Sequence, residues 1–288
     1  MRNVAVTGAR GFVGSMLARH FEDVGWDVTR LSSSESAGDK NMVPFRLGED
    51  IAPDVFRSRQ ISALVHCAYD FRLVKPAEIH RVNVDGSRKL LEAAKAGGVE
   101  RIAVMSTISA FEGSSSAYGR AKLEIEAAAT ASGALVVRAG LVYSDGAPAT
   151  AGGVFGSLAR SVQRGVVPLI DGGMHPQYLI HEEDLWRLFQ RFFEGELRDP
   201  GKPVVAAASK PWPLRELLAE LARRQGRHPR FVAVPWMPVW AGLRLAELVH
   251  LPVPFRSDSV ISLVRQDRNP DFDSLAAAGI TARDFSAS

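Results

Sequence analysis

Val4-Ala5-Val6-Thr7-Gly8-Ala9-Arg10-Gly11-Phe12-Val13-Gly14 joins an apolar run to three glycines at a regular spacing and then to an amphipathic pattern. A short apolar run closed by glycine reads as a buried strand, and the periodic residues after it read as a helix over 12–24. Gly8 supplies a tight turn, Gly11 lets a backbone approach a pyrophosphate, and Gly14 lets the helix press on the strand. The N–H groups of Gly11, Phe12 and Val13, at the positive end of that helix, then face the phosphates. Three spaced glycines alone say little. Set between an apolar strand and an amphipathic helix, they point to a dinucleotide.

Outward from this turn, strand patterns at 4–7, 27–31, 42–46, 63–67, 101–106 and 134–139 alternate with helical ones at 12–24, 53–57, 77–96 and 118–131. Such alternation predicts an α/β fold: a Rossmann doubly wound parallel sheet with helices on both faces. Gly97-Gly98 closes the third helix, where a left-handed residue is wanted. Ser32-Ser33-Ser34 and Ser114-Ser115-Ser116 read as loops. After about residue 150 the alternation loosens. The expected organisation is a dinucleotide-binding domain over 1–150 and, over 151–288, a smaller C-terminal substrate lobe, some segments of which return to the sheet. Trp212, Trp236 and Trp240 fall in that lobe, as a small core or as a lid or subunit contact.

The 288 residues are 46% apolar with a formal charge of +3, enough for a sizeable core. Basic residues are dispersed, so neither a nucleic-acid partner nor a polybasic membrane patch is expected. No stretch has the length and purity of a membrane span. The single cysteine, Cys67, excludes an intrachain disulfide and argues against a metal site. Met1-Arg2-Asn3 runs straight into a strand pattern, with no room for a signal peptide, and the expected setting is cytoplasmic.

An acidic residue at the end of the second strand would hold the ribose hydroxyl of NAD. Here the residues are Val28-Thr29-Arg30-Leu31-Ser32-Ser33-Ser34, without a carboxylate. Arg10, Arg30 and Ser32 could instead hold a 2′-phosphate, which favours NADP over NAD; solvated surface charge is the other reading of the two arginines. Further on, Tyr118-Gly119-Arg120-Ala121-Lys122 sets a phenol and an ammonium on one helix face. A cation near a phenol makes it a better acid–base group at neutral pH. A hydroxyl from Met105-Ser106-Thr107-Ile108-Ser109 could orient a substrate oxygen.

Together these residues resemble the extended short-chain dehydrogenase/reductases, the NAD(P)-dependent epimerase/dehydratase group. Leu64-Val65-His66-Cys67-Ala68, Asn83-Val84-Asp85-Gly86-Ser87 and Val137-Arg138-Ala139-Gly140-Leu141-Val142-Tyr143 are similar to further segments of that family. The resemblance implies hydride transfer at a nicotinamide, Tyr118 as acid–base, Lys122 as its electrostatic partner, and Thr107 as the catalytic hydroxyl, with Ser106 and Ser109 as alternatives. It places Cys67, Ala68 and Asn83 near the cofactor, although Asn83 could only brace backbone and Cys67 could be a small core residue. It also suggests a homodimer.

Where sugar-nucleotide epimerases of the family usually offer an arginine to the pyrophosphate, this chain has Gln177, which counts against such a substrate; Arg160 and Arg164 are substitutes or helix surface. Tyr143 and Gln177 are candidate substrate neighbours. Asp70 and Arg72 either touch substrate or face water, and His181 and Asp184 read as structural. No glutamate directly follows Thr107, which disfavours a sugar dehydratase; Glu112 is a distant substitute. Two classes of function compete: an enzyme acting on a small-molecule carbonyl or alcohol, a sugar nucleotide included, and a non-catalytic NADP-binding sensor or assembly factor.

Overall fold

The computed structural model describes residues 2–33, 41–146, 152–197, 200–249, 251, 253, 255–267 and 269–285. Its first half runs β1 (Asn3–Thr7), α1 (Phe12–Asp23), β2 (Asp27–Ser32), β3 (Met42–Pro44), α2 (Asp54–Ser58), β4 (Ala63–His66) and α3 (Pro76–Ile79). A π-helical turn (His80–Asp85), α4 (Gly86–Ala96), β5 (Arg101–Thr107), α5 (Ala117–Ala131) and β6 (Leu135–Ala139) follow. The seven-stranded sheet has the order β11-β6-β5-β4-β1-β2-β3, where β11 is Val204–Ala206, and the pairings β1–β2, β1–β4, β2–β3 and β4–β5 are parallel. This is the Rossmann-type sheet expected from the alternation of strands and helices.

Ser32, read as a loop residue, is the last residue of β2; its carbonyl accepts from the Phe45 N–H at 2.8 Å. β3 ends at Pro44, and the N–H of Phe45 makes the last bond to β2. The helix over 77–96 contains a π turn that the 3.6-residue pattern does not announce. Ser34 and the expected domain boundary at 150 lie outside the described residues.

The second half comprises β7 (Leu141–Tyr143), α6 (Gly153–Ser161), β8 (Val166–Ile170), β9 (Pro176–Gln177), β10 (Leu179–His181) and α7 (Glu182–Glu194). After β11 come β12 (Trp212–Pro213), α8 (Leu214–Arg224), β13 (Arg230–Val234), α9 (Trp236–Leu248), α10 (Ser257–Val264) and α11 (Asp273–Ala277). Three two-stranded pairs form here: β7–β10 and β8–β13, both parallel, and β9–β12, antiparallel.

By contacts the chain divides into one unit of Met1–Thr107, Ala121–Arg138 and Leu185–Val204, and a second of Ile108–Arg120, Ala139–Asp184 and Val205–Ser288. In the first, Val4, Ala5 and Val6 of β1 are fully buried, and Met16, Leu17 and Phe21 turn the apolar stripe of α1 inward. Phe21 meets Trp186 and Phe193 of α7 edge-on at 4.8 and 5.3 Å. In the second unit the core gathers Tyr143, Phe155, Leu217, Leu218, Leu221 and Phe285. Trp212 packs against that core, 5.5 Å from the Phe285 ring, whereas Trp240 is exposed. Among the described residues no helix is long and apolar enough to cross a membrane, and no group of three or more metal-ligating side chains occurs.

Candidate active site

The glycine turn of the first unit is closed by backbone against backbone. Gly8 has φ +66°, and a Cβ there would stand 2.9 Å from Ala68 N and Cys67 C. At Gly14 it would stand 2.3 Å from Gly8 O, so any side chain would push α1 off β1. The Gly11 N–H donates to Gly8 O at 2.8 Å. Gly11 is the N-cap of α1, with extended φ/ψ and no side chain bonded to the helix start. A turn with Gly8 and Gly11 under an uncapped helix start fits a pyrophosphate. Arg10 is exposed beside it. Arg30 on β2 is ion-paired with Glu22 of α1 at 2.6 Å.

Behind the turn, Thr7 ties the ends of β1 and β4 together. Its Oγ1 accepts from the N–H groups of Cys67 at 3.1 Å and Ala68 at 3.2 Å, and lies 2.7 Å from His66 Nδ1. With two donors already on the oxygen, the hydroxyl proton goes to Nδ1, which makes Nε2 the protonated nitrogen facing Ser87 Oγ at 2.8 Å. Burial, aided by the Lys122 charge, lowers the imidazole to about 3, so His66 is neutral. Although Cys67 as a residue is half-buried, burial of its thiol pushes it up to about 12, with Lys122 pulling the other way. Asn83, fully buried in the π turn, accepts from Asp70 N at 2.7 Å and donates to Asp70 O at 3.3 Å. Its amide therefore braces the chain after β4. Asp70 and Arg72 hold each other at 2.7 Å, and this bonding keeps the Asp70 carboxyl below its usual range.

Lys122, in the second turn of α5, is buried; its Nζ donates to Met105 O at 2.7 Å and lies 5.2 Å from the Tyr69 ring centroid. Burial lowers its ammonium to about 8 against the opposing pull of Cys67 and Glu126. One turn further on, buried Glu126 takes a short hydrogen bond from Ser106 Oγ and a fork from Arg138, at 3.0 Å from Nε and 2.7 Å from Nη2. Ser106 is thus engaged inward, while Thr107 ends β5 half-buried. Glu126 was not foreseen. The signal was Arg138 in the otherwise buried strand Leu135–Ala139, since a guanidinium partly withdrawn from water calls for a carboxylate.

In the second unit, Tyr118 sits in the first turn of α5. The Asp258 carboxylate accepts from Ala117 N at 2.7 Å and Tyr118 N at 2.9 Å, and Ser116 Oγ accepts from Gly119 N at 3.0 Å. Three N–H groups of the helix start are thereby satisfied. The serine loop lies hard against this turn: a Cβ on Gly119 would stand 2.2 Å from Ser114 Oγ and 2.3 Å from Ser109 O. Asp258 lies 140 residues from Tyr118, and sequence reasoning missed it. Ser257-Asp258-Ser259 before an apolar run reads only as the start of its own helix.

Tyr143 lies within the core, its ring 4.9 Å from that of His181 and 5.0 Å from that of Phe285. Gln177 is half-buried on β9 and donates to Pro176 O at 2.8 Å. His181 is 3.1 Å from Asp145, and Asp184 takes the Arg283 backbone N–H at 2.9 Å together with its guanidinium.

The NAD dependent epimerase/dehydratase family model matches residues 4–206. A ceramide reductase of Caulobacter vibrioides is 29% identical over 243 residues, 81% of this chain and 73% of that protein. A UDP-glucose 4-epimerase of Streptomyces lividans is 33% identical over 118 residues, 37% of this chain and 36% of that protein. Among solved structures, the UDP-glucose 4-epimerase of Thermotoga maritima with UDP-glucose superposes with a TM-score of 0.67 at 20% identity, covering 80% of this chain and 85% of that one. At that identity the likeness speaks for the fold alone.

Proposed function

We propose that this chain, which belongs to the NAD-dependent epimerase/dehydratase family, is a nicotinamide-dependent reductase of an apolar carbonyl substrate. The observation that carries the reading is the pairing of Tyr118 and Lys122 at i and i+4 on α5, with Lys122 buried and Thr107 ending the preceding strand. A bound dinucleotide supplies the hydride. The phenol of Tyr118 gives the proton that the new alkoxide takes up, and the Thr107 hydroxyl orients the carbonyl oxygen. Lys122 keeps positive charge near the phenol and so favours the phenolate left behind. Asp258 and Ser116 hold the first turn of α5, and with it Tyr118, by its backbone.

The extent of the match to the ceramide reductase supports reduction of a lipid-like substrate, as does Gln177, a neutral side chain where a diphosphate would want a guanidinium. For the cofactor we favour NADP, on Arg10 and the missing carboxylate at the end of β2; the ion pair of Arg30 with Glu22 leaves Arg10 as the main cation for the 2′-phosphate. A sugar-nucleotide epimerase is the second reading, favoured by the match to the UDP-glucose 4-epimerase of Streptomyces lividans.

Oxidation of NADPH followed with a panel of long-chain ketones, beside thermal stabilisation by UDP, separates the two readings. Reduction of a ketone with no UDP shift is expected. A UDP-dependent rise in melting temperature with every ketone inert would overturn the reductase reading.

A further inference from the structure

Helix α9 turns an apolar stripe outward. Met237, Ala241, Leu245 and Leu248 follow one another at helical steps and all are exposed, the three large ones by 63, 64 and 62%. Trp240 lies beside them, 37% exposed. Trp236, Val239, Leu243, Ala246 and Glu247 occupy the other side and are half-buried or buried. Beyond the helix, Val249, Leu251 and Phe255 are exposed as well. Soluble surfaces rarely keep so continuous an apolar face without a use for it.

The charges of the helix and its flanking sequence are mainly basic, with the Asp171 carboxylate, which accepts from Trp236 N at 3.2 Å, at the start of the helix. From Arg227 to Arg256 the sequence has four arginines and a single carboxylate, Glu247. That carboxylate is buried, bonded to Arg256 Nε at 2.9 Å, Ser257 N at 2.9 Å and Ser257 Oγ at 2.8 Å, and it lies 3.7 Å from Nη1 of Arg244, whose side chain stays 45% exposed. Arg227, Arg230 and Arg244 are exposed. An apolar stripe with aromatic residues and outward arginines is suited to the interface of an anionic bilayer. Thirteen residues of helix reach only about 20 Å, short of the roughly 30 Å hydrocarbon core, so such a helix lies along the surface.

We infer that α9 docks the protein on an anionic lipid surface, with Met237, Leu245 and Leu248 in the acyl boundary, Trp240 at the headgroup level and Arg244 toward lipid phosphate. A second copy of the chain suits this face less well. A two-fold interface would bring two such arginine-bearing faces together, with no exposed carboxylate on the helix itself to offset them.

Flotation of the full chain with vesicles of phosphatidylcholine, alone or mixed with phosphatidylglycerol, tests the inference. The protein should float with the mixed vesicles, less so as salt is raised. Leu245→Glu with Leu248→Glu should lower the bound fraction by more than about tenfold, while Leu245→Met with Leu248→Met keeps it. Because both leucines face outward, the melting temperature of either pair should stay within a few degrees of the parent. Absence of flotation, or flotation indifferent to the glutamate pair, would overturn the proposal. So would a concentration-dependent dimer that the glutamate pair dissociates while no vesicle binds, which would assign the face to a second copy. None of these outcomes bears on ketone reduction, which is read from turnover.

Discussion

The glycine turn of the first unit and the start of α5 in the second are held by different physics. In the first, the glycine turn depends on backbone atoms at contact distance: Gly14 lies so close to Gly8 O, and Gly8 to Cys67 and Ala68, that no side chain fits. In the second, the start of α5 is held by polar side chains, Asp258 from 140 residues away and Ser116 from next door. The difference teaches where variation is allowed. A backbone cradle admits no side chain at Gly8 or Gly14, whereas a carboxylate cap can be weakened step by step.

Substitutions can break or sharpen that contrast. The largest effect is expected from Tyr118→Phe, which removes the proposed proton donor and should lower turnover by about 100- to 10,000-fold, with NADPH affinity unchanged in a calorimetric titration. Gly14→Ala comes next. Its methyl would press on Gly8 O at 2.3 Å, and a loss of about 1–3 kcal/mol should appear in denaturant unfolding together with weaker dinucleotide binding. Asp258→Ala should cost about 1–2 kcal/mol through the lost cap and reduce kcat with little change in dinucleotide affinity. Should Asp258→Ala impair dinucleotide binding as much as Gly14→Ala, the division of labour between the units would be wrong.

The smallest effect is a pH dependence from His66. Its imidazole titrates near 6.5 when unfolded and is held to about 3 in the fold, so below 6.5 the unfolded chain binds the extra proton. Stability is therefore full above 6.5 and is lost as pH falls toward 3, with less than about 1 kcal/mol lost between pH 7 and pH 6. Unfolding curves at those two pH values check it, and His66→Gln should remove the difference.

Most of the first unit could be read from the sequence, because its central strands are runs buried on both faces and its helices keep a 3.6-residue period. The six strands predicted there lie within about two residues of β1 to β6 at either end. What escaped follows from physics that periodicity does not carry. The π turn adds a residue to one helical turn and brings Asn83 onto Asp70, a contact no spacing rule announces. Strands of two or three residues, such as β9, β10 and β12, are too short for alternation to be seen. The return of Leu185–Val204 to the first unit rests on Trp186 and Phe193 meeting Phe21. The outward face of α9 escaped because an apolar stripe turned to solvent has the same period as one turned to a core. At the candidate site, Tyr118, Lys122 and the glycines stood out through their spacing, whereas Asp258 and Glu126 act through partners that only the fold brings near.

The central claim is that this chain moves hydride to a carbonyl carbon. The most direct test uses NADPH deuterated at the nicotinamide C4 hydride position, a long-chain ketone and mass spectrometry of the alcohol formed. One deuterium on the carbinol carbon is predicted. Firm NADPH binding with no label in any product would contradict the claim and leave the chain a dinucleotide-binding module.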